Sequence, residues 1–191
     1  MTNPTRMSPA FPRRSVLEGA GAALVAFAGG GASRAEEAQK PAGGPLSDVP
    51  IILPRTEFVY EALVDLEPML KLGEGPLGER RIIPIVGGTF AGPRIKGTIL
   101  NGGADRQLVR KDGARLLNAL YELKADDGAI ITVNNRVLLD KREDGSTYGF
   151  SHIDIIAPEG PHDWLNHLVF VGTLHSLAPQ PKVLIRVFSL V

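Results

Sequence analysis

The stretch that decides the fold runs from residue 57 to residue 66 and reads Glu57-Phe58-Val59-Tyr60-Glu61-Ala62-Leu63-Val64-Asp65-Leu66. Every second residue from Phe58 to Leu66 is apolar or aromatic, and the acidic side chains fall between them. Because successive side chains of a strand point to opposite faces, this period of two predicts a β-strand with one buried face. Residues 115–124 repeat the pattern, with the buried face predicted at Leu117, Ala119, Tyr121 and Leu123.

Shorter apolar and β-branched runs predict further strands at 81–86, 95–100, 129–133, 137–139, 152–156, 168–173 and 183–191. Turn signals separate these runs at Gly87–Gly88, Gly92–Pro93, 101–103, Asp112–Gly113, Asp127–Gly128, Asn134–Asn135 and Asp144–Gly145. About nine short strands joined by tight turns predict an all-β fold, either an antiparallel barrel or a sandwich. One helical turn is predicted around 161–168.

The first 35 residues differ from the rest of the chain. They hold four arginines against the single acid Glu18, and residues 19–31 contain only Gly, Ala, Leu, Val and Phe. Thirteen residues at about 1.5 Å rise each are too short to cross a bilayer core of about 30 Å. The pair Arg13–Arg14 before this apolar run predicts a twin-arginine signal peptide over 1–35, cleaved after Ala35. The expected partner is therefore the bacterial twin-arginine export machinery, and the expected location is the periplasm or beyond.

Charge and composition exclude several classes of function. The whole chain has 21 basic and 21 acidic residues, but residues 36–191 carry 17 and 20, a net charge of about −3. This balance argues against nucleic acid or an anionic membrane surface as a partner. The absence of cysteine excludes disulfides, thiolate nucleophiles and cysteine-ligated metals.

Residues 36–54, interrupted by four prolines, predict a flexible lead-in to one domain over 55–191.

Two motifs that could hold a cofactor are rejected on their context. Residues 73–78 match G-x-G-x-x-G, but a strand pattern follows them where a dinucleotide site needs a helix. His152 and Asp154 share one strand face, yet two ligands fall short of the three that a catalytic zinc site takes. The pair His162 and His167 would diverge on a helix. We therefore predict no cofactor and no metal.

Acid–base chemistry has three candidate residues. Asp105 and Asp127 lie beside glycines and would serve as acid or base if they line the barrel mouth. The alternative is that both carboxylates accept backbone hydrogen bonds in ordinary turns. Arg81 would stabilise an anion, or else pair with Glu57, Glu61 or Glu79 on a neighbouring strand.

Ligand contact has four further candidates, and three of them are aromatic. Tyr60 and Tyr121 fall on the predicted inner faces, and His152 shares a predicted strand face with Asp154, which permits the two to pair. Trp164 is the only tryptophan of the chain. It would either stack on a ligand at a barrel end or close that end as a hydrophobic lid.

Five ordered blocks of the sequence resemble one family of uncharacterised proteins, DUF3237 or UPF0311. The blocks are 73–81 (GEGPLGERR), 87–93 (GGTFAGP), 102–105 (GGAD), 126–129 (DDGA) and 164–166 (WLN). The resemblance covers about residues 55–191 and implies a single calycin-like antiparallel β-barrel. It implies no established activity. Arg106 and Arg136 stand where the family usually has an aromatic residue and a glycine, so no ligand preference is carried over.

Two functions from different classes are open at this stage. The first is a binding module, in which the barrel holds one small apolar or carboxylate-bearing ligand. The second is a cofactor-free isomerase, lyase or hydrolase that uses Asp105 or Asp127 as acid or base and Arg81 as anion stabiliser. No heptad or basic patch in the sequence supports a purely structural role. The binding module is favoured, in a protein that is monomeric or weakly oligomeric.

Overall fold

The computed structural model describes Pro50 and residues 52–191 of the chain. Within this part the backbone forms ten β-strands and one short 3₁₀ helix, Asp163–His167. The strands are β1 (Thr56–Leu66), β2 (Leu70–Gly75), β3 (Gly78–Ala91), β4 (Lys96–Ile99), β5 (Gly103–Arg110), β6 (Arg115–Ala125), β7 (Ile130–Lys141), β8 (Thr147–Ile156), β9 (Phe170–Ser176) and β10 (Lys182–Leu190). The predicted signal peptide and most of the lead-in lie outside the described residues.

The strand pairings close the sheet on itself. Around the barrel, neighbouring strands follow the order β1, β10, β9, β8, β7 and β6, then β4 together with β5, and finally β3. Strand β3 pairs back onto β1, with Thr89 opposite Leu63. Strands β4 and β5 pair with different segments of β3 and β6, so the two together fill one strand position of the barrel. Strand β2 pairs with β3 beyond the end of β1. All these pairings are antiparallel, so the prediction of a single antiparallel β-barrel is confirmed, and the barrel has eight positions.

The alternation of apolar residues along the strands correctly predicts which side chains face into the barrel, with one exception. Tyr60 and Val64 of β1 and Tyr121 of β6 are buried inside, as predicted. A bulge shifts the register of β1 between Phe58 and Tyr60. It buries the intervening Val59 and leaves Phe58 43% exposed on the outside. The ring of Phe58 packs there edge-on against Phe188, with 5.9 Å between centroids.

Two predicted turns lie inside strands. Asn134 and Asn135 sit in the middle of β7, where Asn135 pairs with Ala119 on one side and Ile153 on the other. These cross-strand pairings on both sides outweigh the turn preference of asparagine. Gly87 and Gly88 belong to β3. A Cβ at Gly88 would lie 2.1 Å from the carbonyl oxygen of Leu63, so glycine allows the close approach of β1 that closes the barrel.

The ends of the barrel are held in different ways. Arg55 and Val191 exchange two backbone hydrogen bonds of 2.9 Å beside β1 and β10. The 3₁₀ helix confirms the predicted helical turn and buries Leu165 in the core. No helix in the described part of the chain combines the length and apolarity that a membrane span requires.

A candidate ligand-binding cavity inside the barrel

A cavity of about 380 Å³ lies inside the barrel. Its lining residues on β6 extend from Arg115 past Leu117 and Ala119 to Tyr121, a span of about 20 Å along the strand at about 3.3 Å per residue. The loop after β1 and the loop before β10 border the end at Arg115, which we call the mouth. Most of the wall is apolar and includes Val64, Ile83, Ile85, Val137, Leu139 and Ile185. This volume suits a small organic ligand with an apolar body.

Two arginines line the cavity near its mouth, Arg81 on β3 and Arg115 on β6. Arg81 Nε donates a hydrogen bond of 3.0 Å to Glu79 Oε2, and its terminal nitrogen contacts the same oxygen. The Nζ atom of Lys71 lies 3.3 Å from the other oxygen of Glu79. The hydrogen bond from Arg81 is the main reason that the pKa of Glu79 lies below its ordinary value. Glu79 thus fixes the Arg81 cation beside the cavity.

Asp105 is a buried carboxyl group in the wall of this cavity, only 8% exposed. Its Oδ2 accepts a hydrogen bond of 2.6 Å from Gln107 Nε2, and its Oδ1 accepts one of 3.1 Å from the backbone N–H of Asn118. Burial raises the pKa of Asp105 above its ordinary value, although these two bonds and the charge of Arg115 act in the opposite direction. The arrangement gives the cavity a group that can hold or release a proton.

The deep end of the cavity carries polar atoms without partners. Tyr121 and Asn135 line the cavity and are only 1% and 2% exposed. Asn135 Oδ1 and Ser151 Oγ have no hydrogen-bond partner in the described part of the chain, and the hydroxyls of Tyr60 and Tyr121 have no partner but each other. Burial raises the pKa of both tyrosines, so their hydroxyls stay neutral. Buried polar groups are normally paired, so these atoms need an explanation.

Small residues keep this interior open. Asp105 lies opposite Ala119, and Ala119 lies opposite Asn135, so the three form one row across β5, β6 and β7. The methyl group of Ala119 leaves space between the two polar side chains. At Gly103 a Cβ would approach Tyr121 Cβ to 2.6 Å, so this glycine makes room for the Tyr121 side chain.

The structure brings together only some of the predicted site residues. Arg81, Asp105 and Tyr121 line the cavity. Tyr60 is fully buried in the adjacent core, with its ring 5.6 Å from that of Phe90. Burial of Tyr60 raises its pKa, and Tyr121 adds to that shift, so the two phenols lie near each other.

Asp127 and Trp164 belong to the end of the barrel opposite the mouth. Asp127 follows β6 in a turn, where its Oδ1 accepts a hydrogen bond of 3.1 Å from the N–H of Ala129. This bond is the main reason that the pKa of Asp127 is lowered. Its Oδ2 lies 2.9 Å from Nε2 of the buried His162. Trp164 packs partly buried against the core beneath Arg94, whose Cζ lies 3.9 Å from the ring centroid. Neither residue is among those that line the cavity.

His152 lies on the outer face of β8, away from the cavity lining. Its Nδ1 is 2.9 Å from a terminal nitrogen of Arg136, which also donates a hydrogen bond of 3.0 Å to Asp154. The described residues contain no group of three or more His, Asp or Glu side chains placed to hold a metal ion.

Gln107, Asn135 and Arg115 are polar cavity residues that the sequence does not predict as site residues. Gln107 belongs to β5, whose mixed polar sequence gives no clear alternation. The sequence predicts a turn at Asn135, although this residue falls in phase with Val133 and Val137 on the apolar face of β7. Arg115 falls in phase with Leu117 and Tyr121 in β6. A charged or amide side chain in phase with an apolar strand face is the signal that would have identified the last two.

The closed barrel and its internal cavity define a class of protein by fold, the small antiparallel β-barrels. Within that class the chain belongs to the DUF3237 family. The model of this family, described as a protein of unknown function, matches residues 54–190. The resemblance found in the five sequence blocks is therefore confirmed.

Individual relatives agree with this assignment. A UPF0311 protein of Clostridium acetobutylicum is 36% identical over 80 residues, 41% of this chain and 51% of the relative. The chain spans about half the length of the curated relatives that it matches. A β-barrel-like protein of Acinetobacter baumannii matches 75% of this chain and 99% of its own, with 30% identity and a TM-score of 0.70. A protein of unknown function from Rhodopseudomonas palustris matches 74% of this chain and 100% of its own, with 27% identity and a TM-score of 0.69.

Proposed function

We propose that the barrel binds one small organic anion in its cavity, with the apolar body of the ligand against the aliphatic wall. The observation that carries the proposal is the position of Arg81 and Arg115 at the mouth of a mostly apolar cavity of about 380 Å³. A carboxylate is the natural partner of an arginine in a partly dehydrated site. The aliphatic wall would supply most of the binding energy, and the arginines would set the orientation.

A direct test uses 2-naphthoate, a rigid fluorescent acid that fits this volume. We expect one molecule to bind per chain, and Arg115→Gln to weaken binding by about 10-fold through the loss of one charge-assisted contact. Arg106→Gln is the matched control, because Arg106 is exposed on the neighbouring strand β5. The absence of saturable 2-naphthoate binding, or equal losses in both variants, would contradict the proposal. Native mass spectrometry of the purified protein would show whether a ligand co-purifies with it.

A second candidate function follows from Asp105. This carboxyl group is buried in the cavity wall, and its pKa is raised, which suits a general acid or base. The reaction would be a cofactor-free proton transfer, in which Asp105 removes a proton from carbon beside a carbonyl group and returns one. Arg81 would stabilise the enolate formed between the two transfers.

Hydrogen exchange at carbon tests this second function without knowledge of the natural substrate. Phenylpyruvate in D₂O would exchange its benzylic hydrogens faster with the wild-type protein than with Asp105→Asn, as followed by NMR. Asp127→Asn should leave the rate unchanged, because Asp127 lies outside the cavity lining. If the wild-type protein and Asp105→Asn accelerate exchange equally, Asp105 is not the base.

We also propose that the protein is exported through the twin-arginine machinery. The supporting observation is Arg13–Arg14 before a weakly hydrophobic run of thirteen residues. Replacing both arginines by lysine should leave the precursor in the cytoplasm of a bacterial host. Continued export of the Arg13→Lys, Arg14→Lys variant would overturn this proposal.

A further inference from the structure

Three cationic side chains line the cavity, and they differ in whether an acidic side chain already neutralises them. Arg81 is paired with Glu79, and Lys182 of β10 is paired with Asp65. Arg115 forms no ion pair with any acid in the described part of the chain. A cation of this kind can accept an anion from outside without the loss of an existing pair. Arg115 is therefore the cation of the cavity that is available to a ligand.

The charge of Arg115 also acts on the buried Asp105. This carboxyl group lies opposite Ala119, deeper in the barrel than Arg115. Burial raises the pKa of Asp105, and the charge of Arg115 is among the effects that act in the opposite direction. An anion bound to Arg115 would cancel that positive charge and would place a negative charge near the carboxyl group. Both changes favour the neutral form of Asp105 when the cavity is occupied.

The other groups that could exchange a proton in this cavity are less suited to respond. The remaining titratable side chains of the lining are Arg81 of β3, Arg115 and Tyr121 of β6, Lys182 of β10, and Glu67 of the loop after β1. Arginine keeps its proton in proteins, and Lys182 already has Asp65 as its counter-ion. Burial raises the pKa of Tyr121, so its phenol stays neutral. Glu67 is exposed, so water solvates its carboxylate.

We infer that the cavity binds its anion together with one proton, which Asp105 takes up, and that it releases the anion as the pH rises. The inference rests on the proposed function, since it assumes that a small organic anion binds at Arg115. The proton removes a second negative charge that the occupied cavity would otherwise bury. In the neutral form, Asp105 can still accept its hydrogen bonds from Gln107 and from the backbone of Asn118.

The linkage between proton and anion fixes the direction of the pH effect. A group whose pKa is higher in the complex than in the free protein takes up a proton on binding. The affinity is therefore highest below the pKa of Asp105 in the free protein, which is itself raised above the ordinary value of about 4. It falls, by up to about 10-fold per pH unit, until the pH reaches the pKa of Asp105 in the complex.

The test uses 2-naphthalenesulfonate, because a sulfonate stays ionised and so adds no titration of its own. We expect its affinity for the wild-type protein to fall by about 10-fold or more between about pH 4 and about pH 8. Asp105→Asn cannot ionise, so its affinity should change by about 3-fold or less over the same range. Glu67→Gln is the matched control, since it removes the other acidic side chain of the lining and should keep the full pH dependence.

Calorimetry of the wild-type protein counts the proton without any variant. Titration in buffers of different ionisation enthalpy should show net proton uptake, of up to one proton per bound probe, at the pH where the affinity changes most steeply. An affinity that is constant with pH, no proton uptake, or the same pH dependence in Asp105→Asn would overturn the proton link and leave the anion-binding cavity in place. No binding of the probe at any pH would overturn the proposed function itself.

Discussion

Gln107 donates its side-chain amide to Asp105, with 2.6 Å between Nε2 and Oδ2, and both side chains line the same cavity. The bond joins alternate residues of β5, so it orients the carboxyl group within one strand. The second oxygen of Asp105 is held by the N–H of Asn118 on β6. The carboxyl group is therefore fixed in the wall from two strands, although its burial disfavours the ionised form.

The raised pKa of Asp105 predicts how stability changes with pH. An acid whose pKa is higher in the folded chain binds its proton more tightly there than in the unfolded chain. Its contribution to stability is therefore complete below the unfolded pKa of about 4 and is lost as the pH rises through the folded pKa. Asp105→Asn cannot ionise, so the free energy of unfolding of the wild-type protein should fall relative to this variant between these two pKa values.

Urea unfolding at several pH values measures this difference. The slope can reach about 1.4 kcal/mol per pH unit while Asp105 titrates. Asp140→Asn removes an exposed carboxylate from the end of β7 and controls for the loss of one charge. The prediction is contradicted if the difference in unfolding free energy between the wild-type protein and Asp105→Asn stays constant with pH. It is also contradicted if the wild-type protein becomes more stable relative to the variant as the pH rises.

Gly103 is predicted to be intolerant of a side chain. A Cβ there would lie 2.6 Å from Tyr121 Cβ and 2.9 Å from the carbonyl oxygen of Leu120. We expect Gly103→Ala to lower the free energy of unfolding by about 1–3 kcal/mol, because neither neighbour can move without shifting β6. Gly75→Ala is the control, since its nearest neighbour would be 3.7 Å away. Similar unfolding midpoints for the two variants would show that this wall of the cavity adjusts.

Asn166 connects the 3₁₀ helix to the end of β8 through both ends of its amide. Its Oδ1 accepts from the N–H of Ala157 over 2.9 Å, and its Nδ2 donates to the carbonyl oxygen of Ala157 over 3.0 Å. Asn166→Asp replaces this donor by an oxygen, so we expect a loss of about 1–2 kcal/mol in unfolding free energy. Asn101→Asp, in an exposed turn, serves as the control. If both variants unfold alike, the amide does not hold this end of the barrel.

Trp164 reports on the same end of the barrel. The Arg94 guanidinium covers its ring at 3.9 Å from the centroid, and the chain has no other tryptophan. Arg94→Gln should increase acrylamide quenching of the fluorescence, with a stability loss of about 0.5–1 kcal/mol. Arg142→Gln is the comparison, because Arg142 lies over Tyr148 and not over Trp164. Unchanged quenching in Arg94→Gln would mean that the guanidinium does not cover the indole in solution.

The alternation of side chains was sufficient to predict the fold class, and it failed where strand pairing overrides local preference. The apolar face of β6 is as the period of two predicts, from Leu117 to Leu123. Asn134–Asn135 and Gly87–Gly88 resemble turns locally, but pairing with strands distant in sequence holds them in β7 and β3. The local sequence does not indicate which distant strands these residues pair with.

The candidate site was predictable only in part. The sequence predicts Asp105, Arg81 and Tyr121 as site residues, and the structure places all three around one cavity. The same feature predicts Asp127 and Asp105 as site residues, since both lie beside glycines. The difference between them is topological. Asp105 points into the barrel from a strand, whereas Asp127 closes a hairpin by accepting the N–H of Ala129.

The two backbone hydrogen bonds between Arg55 and Val191 hold the two ends of the barrel domain together. Its first and last residues already lie side by side, so a short peptide could join them without disturbing any strand pairing. The exposed turn around Gly113, between β5 and β6, could then provide new ends. The order of the strands around the barrel, rather than the point at which the chain enters it, defines this fold.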